Sequence, residues 1–144
     1  MAPLEQRPVI LLAEDDELTA AAWSAVLRLN GFEVIWAPDG SSAWALARAG
    51  RPDLLLTDWD MPGMDGLELC RVFRADPLLA GVPIILASSL RSPPSATPAL
   101  HDLFLEKPAD AAALLAAVSG LAVVKGIVDS IQDDSDSANG SPKA

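Results

Sequence analysis

Short apolar runs alternate with amphipathic stretches along most of this chain. The run over 9–13, Val-Ile-Leu-Leu-Ala, is uninterrupted, as expected of a strand covered on both faces. It ends in Glu14, Asp15 and Asp16. From 18 to 29 the pattern turns helical, with Leu18, Ala22 and Val26 predicted to share a face and Asn30-Gly31 to stop the helix. A second strand is predicted over 32–36. Asp39, Gly40, Ser41 and Ser42 supply a turn and an N-cap for a short helix over 43–49. A third strand over 53–57 stops at the carboxylate of Asp58. The loop Met61-Pro62-Gly63-Met64 prevents its continuation. A helix over 66–75 follows, with Leu67, Cys70 and Phe73 on one side, ended by Asp76-Pro77. A fourth strand is predicted over 82–87, with Pro83 at its start, where a missing donor is tolerated. A fifth runs over 103–105, and a last helix, almost wholly Ala and Leu, over 109–120. This rhythm predicts an α/β fold, a parallel sheet with helices on both faces.

One crossover breaks the rhythm. Between the fourth and fifth strands lie Pro93, Pro94 and Pro98, which exclude a long regular helix. At most one turn is expected over 98–102. The expected organisation is an N-terminal arm over 1–7, one domain over 8–121 and a C-terminal extension over 122–144, disordered from about 132.

Composition narrows the class. The chain has 144 residues, is 51% hydrophobic and carries a net charge of −10. That length fits one domain, and that charge argues against nucleic-acid binding. Asp129, Asp133, Asp134 and Asp136 place part of the charge in the tail. The lone cysteine, Cys70, excludes an intrachain disulfide and reads as a packed core thiol. No apolar run is long enough for a membrane span, and the N-terminus lacks a signal-peptide pattern. A soluble cytoplasmic protein is expected.

The chemistry lies at the ends of the apolar runs. The first ends in Glu14 and Asp15, the third in Asp58, the fourth in Ser88, and the fifth just before Lys107-Pro108. In a parallel sheet these ends share one edge, and that edge binds ligands. Crowded carboxylates take up protons or surround a cation, and oxygen ligands of this kind suit Mg²⁺. Asp58 is then a nucleophile able to form an acyl phosphate. A metal ion, a hydroxyl and one ammonium could neutralise the transferred phosphoryl group. Lys107 is one of three lysines, with Lys125 and Lys143.

The pattern resembles the response-regulator receiver domain of two-component signalling, over about 8–121. Asp-x-x-Met-Pro-Gly-Met-Asp-Gly, starting at Asp58, is close to the family consensus. The resemblance implies a doubly wound five-stranded parallel sheet, flavodoxin-like in strand order 2-1-3-4-5, with a degraded or missing fourth helix here. It implies Asp58 as phosphoacceptor and Mg²⁺ held by Glu14, Asp15, Asp58 and the backbone carbonyl of Asp60. Ser88 stands at the switch hydroxyl and Lys107 at the phosphate-pairing lysine. Phe104 falls at the aromatic switch position, and the Lys107–Pro108 bond is expected to be cis. The implied function is a phosphoryl-accepting switch, phosphorylated by a histidine kinase or histidine phosphotransfer protein and signalling to a downstream effector protein. It catalyses only its own phosphorylation and dephosphorylation. Ending soon after the last helix, the chain resembles stand-alone receivers.

Other readings stay beside this one. A degenerate receiver would act as a non-phosphorylated interaction module; the rebuilt fourth crossover speaks for it, the filled chemical positions against it. Asp58-x-Asp60 also resembles the Asp-x-Asp of haloacid-dehalogenase-type phosphatases, but Met61-Pro62 does not fit them. Asp16 is either a member of the metal pocket or a helix N-terminal acid, and Asp65 reads as an N-cap. Ser89 reads as a loop hydroxyl beside the switch. His101, the only histidine, lies in a loop and does not read as a phosphoryl carrier. Trp59 adjoins the acceptor and shapes access to it, while Trp23, Trp36 and Trp44 read as packing residues. The last helix is apolar all round and needs cover, from a second copy in a homodimer, from an effector, or from residues 121–131 folding back.

Overall fold

Apolar runs with no polar face must be covered on both sides, and the chain supplies that cover by winding its helices to alternate faces. The computed structural model describes residues 7–89 and 100–126. Its elements are β1 (Val9–Ala13), α1 (Glu17–Leu29), β2 (Glu33–Ala37), α2 (Gly40–Ala49), β3 (Leu54–Asp58), α3 (Gly66–Ala75), β4 (Ile84–Ser88), β5 (Leu103–Glu106) and α4 (Ala111–Val124). The five strands form one parallel sheet in the order β2-β1-β3-β4-β5. The fold class is therefore the expected one.

Alternate residues of β1 feed two cores. Ile10 and Leu12 pack with Trp23 and Leu27 of α1 and with Leu114 and Val118 of α4. Leu11 and Ala13 pack with Ala43 and Ala47 of α2 and with Leu69, Cys70 and Phe73 of α3. β3 and β4 are buried at every position, as central strands between two helical layers must be.

Polar staples close the N-terminal edge of the sheet. The Arg74 guanidinium donates to the carbonyls of Leu100, Ala80 and Val82 at 2.7–2.9 Å and to the Asp102 carboxylate at 2.9 Å. Asp102 also accepts from the Ile84 amide at 2.8 Å and lies 3.4 Å from Lys125 Nζ. The return to β5 is thereby tied to α3, β4 and the end of α4. Leu100 and Asp102 flank His101, none of them helical, and no helix lies between β4 and β5 among the described residues. Residues 90–99, on which most of the expectation about this crossover rests, lie outside the described residues, as do arm residues 1–6 and the extension from 127.

Four packing expectations change. The inward face of α1 is Ala20, Trp23, Ser24 and Leu27, while Leu18 is 81% exposed and Ala22 is also exposed. Burying Trp23 and Leu27 removes more apolar area from water than burying Leu18 and Ala22 would. On α3, Leu69 joins Cys70 and Phe73 in the core, and Leu67 is only partly buried. Trp36 is not a core residue: it is 39% exposed and its indole N–H serves a backbone carbonyl described below. The last helix starts after an Asp110 cap and passes Gly120 to Val124. A single glycine costs a helix about 1 kcal/mol, and burial of Ala122 offsets that. Residues 121–124 thus extend the helix instead of folding back. Residues 127–131 are not among those described. Cys70 is a core thiol, pushed up to about 12 chiefly by burial.

Candidate functional site

Parallel strands all end in the same direction, so the side chains after them meet at one edge. Glu14 follows β1 directly. Its amide donates to Ala37 O at 3.0 Å, continuing the β2 ladder by one residue, and its carbonyl accepts from Trp36 Nε1 at 2.8 Å. Fixed on both backbone groups, Glu14 turns its carboxylate inward and is buried. Asp15 is exposed beside it. Asp16 caps α1, accepting from the Thr19 amide at 3.0 Å. Its hydrogen bonds to Thr19 hold its pKa below the usual carboxylate value. Of its two readings, the structure gives the helix cap.

Asp58 closes β3 and is buried. The Trp59 amide donates to Ala87 O at 2.8 Å, so β3 stays paired until the turn, and the Gly66 amide reaches Trp59 O at 2.8 Å. A side chain at Gly66 would collide with the Asp58 carbonyl. The glycine lets α3 start directly against the strand end, with Asp65 as its cap in a reciprocal capping box with Glu68. The side chain of Asp60 is exposed, outside the carboxylate group; the resemblance assigned only its carbonyl.

The β3–β4 register pairs Asp58 with Ala87, which puts buried Ser88 one residue beyond it. Ser88 O accepts from the Lys107 amide at 2.8 Å, carrying the β4–β5 ladder one step past β5. Lys107 Nζ then lies 3.0 Å from Glu14 Oε1 and 3.5 Å from Asp58 Oδ1. The Lys107–Pro108 peptide is cis. Phe104 is half-buried on β5, its ring edge-on to His101 at 6.3 Å. Burial holds His101 below the ordinary histidine value. Ser89 is exposed.

Carboxylate oxygens of Glu14, Asp15 and Asp58 lie within 4.8 Å of one another. Such crowding costs free energy unless protons or cations relieve it. Burial and the charge of Glu14 push Asp58 up to about 6, and Lys107 only partly offsets them. Burial alone would depress Lys107; its hydrogen bond to Glu14 and the charge of Asp58 outweigh that and raise it. One ammonium faces three carboxylates, a donor set of hard oxygens with charge to spare. That set fits a small divalent cation.

Among the described residues, the structure brings Glu14, Asp15, Asp58, Ser88 and Lys107 to one edge, with Asp60 in the adjoining loop. The sequence reading missed two residues here. Trp36 pins the Glu14 carbonyl. Trp23 donates to Ala109 O at 3.4 Å and lies under Lys107 Nζ, 5.8 Å from the ring centroid. Trp23 lies on α1, just after the acidic end of β1, whereas Trp36 lies on β2 and comes near Glu14 only through its pairing with Leu12; an indole N–H in either place needs an acceptor.

The sequence model of the response regulator receiver domain matches residues 10–119. The chain belongs to that family. A similar protein is the DNA-binding response regulator MtrA of Mycolicibacterium smegmatis, 43% identical over 89 residues, or 62% of this chain and 37% of MtrA. Response regulator PleD of Caulobacter vibrioides is 34% identical over 126 residues, 85% of this chain and 28% of PleD. The receiver chain thus spans well under half the length of these relatives. Among solved structures, chemotaxis response regulator CheY4 of Vibrio cholerae has a TM-score of 0.75 at 27% identity, covering 80% of this chain and 98% of that one. The receiver domain of a signal transduction histidine kinase from Syntrophus aciditrophicus has a TM-score of 0.75 at 31% identity, covering 86% and 96%. The receiver domain is a signalling module of two-component systems. Among its described residues, no helix is long and apolar enough to cross a membrane.

Proposed function

We propose that this receiver accepts a phosphoryl group on Asp58 from a phosphohistidine of a kinase or phosphotransfer protein. The observation that carries the reading is the cluster itself: three carboxylates within 4.8 Å, with one ammonium against two of them. Glu14, Asp15, Asp58 and the Asp60 carbonyl are the residues that would hold Mg²⁺. A bound Mg²⁺ supplies positive charge against the phosphoryl oxygens. An Asp58 carboxylate oxygen forms the bond to phosphorus as the phosphorus–nitrogen bond of the donor breaks, and the imidazole leaves with its electron pair and takes a proton. Lys107 and the Ser88 hydroxyl face the phosphoryl oxygens, and Ser88, with Phe104, carries the change outward to an effector protein. Hydrolysis of the acyl phosphate by water resets the domain. The DNA binding in the name of MtrA belongs to that longer protein.

Intact-mass measurement tests this. With Mg²⁺ and acetyl phosphate, one acid-labile phosphate is expected, absent in Asp58→Asn and absent with a chelator. A parent chain that takes no phosphate under these conditions or from a cognate phosphohistidine donor overturns the reading and leaves a non-phosphorylated interaction module.

A further inference from the structure

The lysine of the site stands on a long flexible stem, and its placement needs more than attraction to carboxylates. Lys107 Nζ touches Glu14 Oε1 at 3.0 Å and Asp58 Oδ1 at 3.5 Å. Both are groups that a divalent cation would claim. Cation and ammonium therefore compete for the same oxygens, and the carboxylates alone hold Lys107 least firmly when the site is loaded. The third described contact of the ammonium is with the ring of Trp23, 5.8 Å from its centroid. Facing the quadrupole of an indole ring, it is a contact for which a cation on the carboxylates does not compete. Trp23 is itself buried in the α1 face that packs on the sheet. Its Nε1–H reaches across to Ala109 O, two residues after Lys107, in a long 3.4 Å hydrogen bond.

We infer that Trp23 is a positioning residue for Lys107, its ring holding the ammonium and its indole N–H holding the loop that carries it. This rests on the reading of Asp58 as phosphoryl acceptor, and it adds a residue of α1 that packing alone does not explain. A leucine would fill much of the same core space. It would offer the ammonium no π face and Ala109 no donor.

The test uses the full chain and two substitutions, Trp23→Leu and Trp23→Phe, each first shown to unfold cooperatively. Phosphorylation by acetyl phosphate at saturating Mg²⁺ is expected to slow about 10-fold in Trp23→Leu and about 3-fold or less in Trp23→Phe, which keeps a π face. The Mg²⁺ dissociation constant should change less than about 2-fold in both, because the ring touches the lysine and not its carboxylates. An unchanged rate in folded Trp23→Leu overturns the inference. So do equal losses in both variants with a parallel loss of Mg²⁺ affinity, which mark a scaffold residue. An independent readout is the indole N–H resonance of Trp23, identified by its loss in Trp23→Phe. It should move in Lys107→Gln while that of Trp44, packed on Phe73, stays fixed. A Trp23 resonance that does not move overturns the inference. If the parent chain accepts no phosphate, the functional reading falls, and the indole resonance alone decides this one.

Discussion

At the N-terminal edge of the sheet, Asp102 meets Arg74, Lys125 and the Ile84 amide, and these partners outweigh its burial and hold its pKa below the usual value. At the C-terminal edge, Asp58 meets two other carboxylates and a single ammonium already bonded to Glu14, and it is pushed up to about 6. The same chemical group stabilises the fold at one edge and strains it at the other. Satisfied charge marks the end that must stay closed. Unsatisfied charge marks the end proposed to take a cation and a phosphoryl group.

The largest effect should come from breaking the satisfied edge. Arg74→Ala takes a side-chain donor from three carbonyls and one of its partners from Asp102, and urea unfolding should show a loss of roughly 2–4 kcal/mol. At the other edge the sign inverts. In the presence of a chelator, Asp58→Asn should gain roughly 1–2 kcal/mol, because it removes a like charge that solvent screens only in part. A loss there would mean that the site is already satisfied. The pH dependence sharpens the contrast. A carboxyl whose folded pKa lies near 6 against an ordinary 3.8 binds more protons folded than unfolded. Metal-free protein should therefore lose stability as pH rises from about 4 to about 6 and level off above, and this slope should vanish in Asp58→Asn, as followed by thermal melts. Asp102 acts the other way: its contribution is present above the ordinary 3.8 and is lost as pH falls through its lowered value. The smallest effect should come from Leu18→Ser on the solvent face of α1, within about 0.5 kcal/mol of the parent by urea unfolding. A larger loss would mean that Leu18 is covered after all.

The site edge was legible in the sequence because parallel topology carries every apolar-run end to one place: Glu14, Asp15, Asp58, Ser88 and Lys107 needed only their order. Strands read well too, since β1 is apolar throughout and β3 and β4 are apolar up to the polar residues that end them. The face of α1 did not, because a helix of Ala, Leu, Trp and Val offers several apolar stripes and volume decides among them. Trp36 misled because indoles are usually core residues, yet this one is kept at the surface by its hydrogen bond to Glu14. The Arg74 staple was silent too: backbone carbonyls as partners leave no mark on a sequence.

The bond between Lys107 and Glu14 spans 93 residues of chain. It joins the strand made first to the segment that follows the strand paired last to the sheet edge. Contacts this distant close late, after the loop entropy between them has been overcome. A chain emerging from the ribosome, or one whose last strand has frayed, carries the acidic cluster without its ammonium. The charge pairing at the site is thus complete only once the last strand is in place.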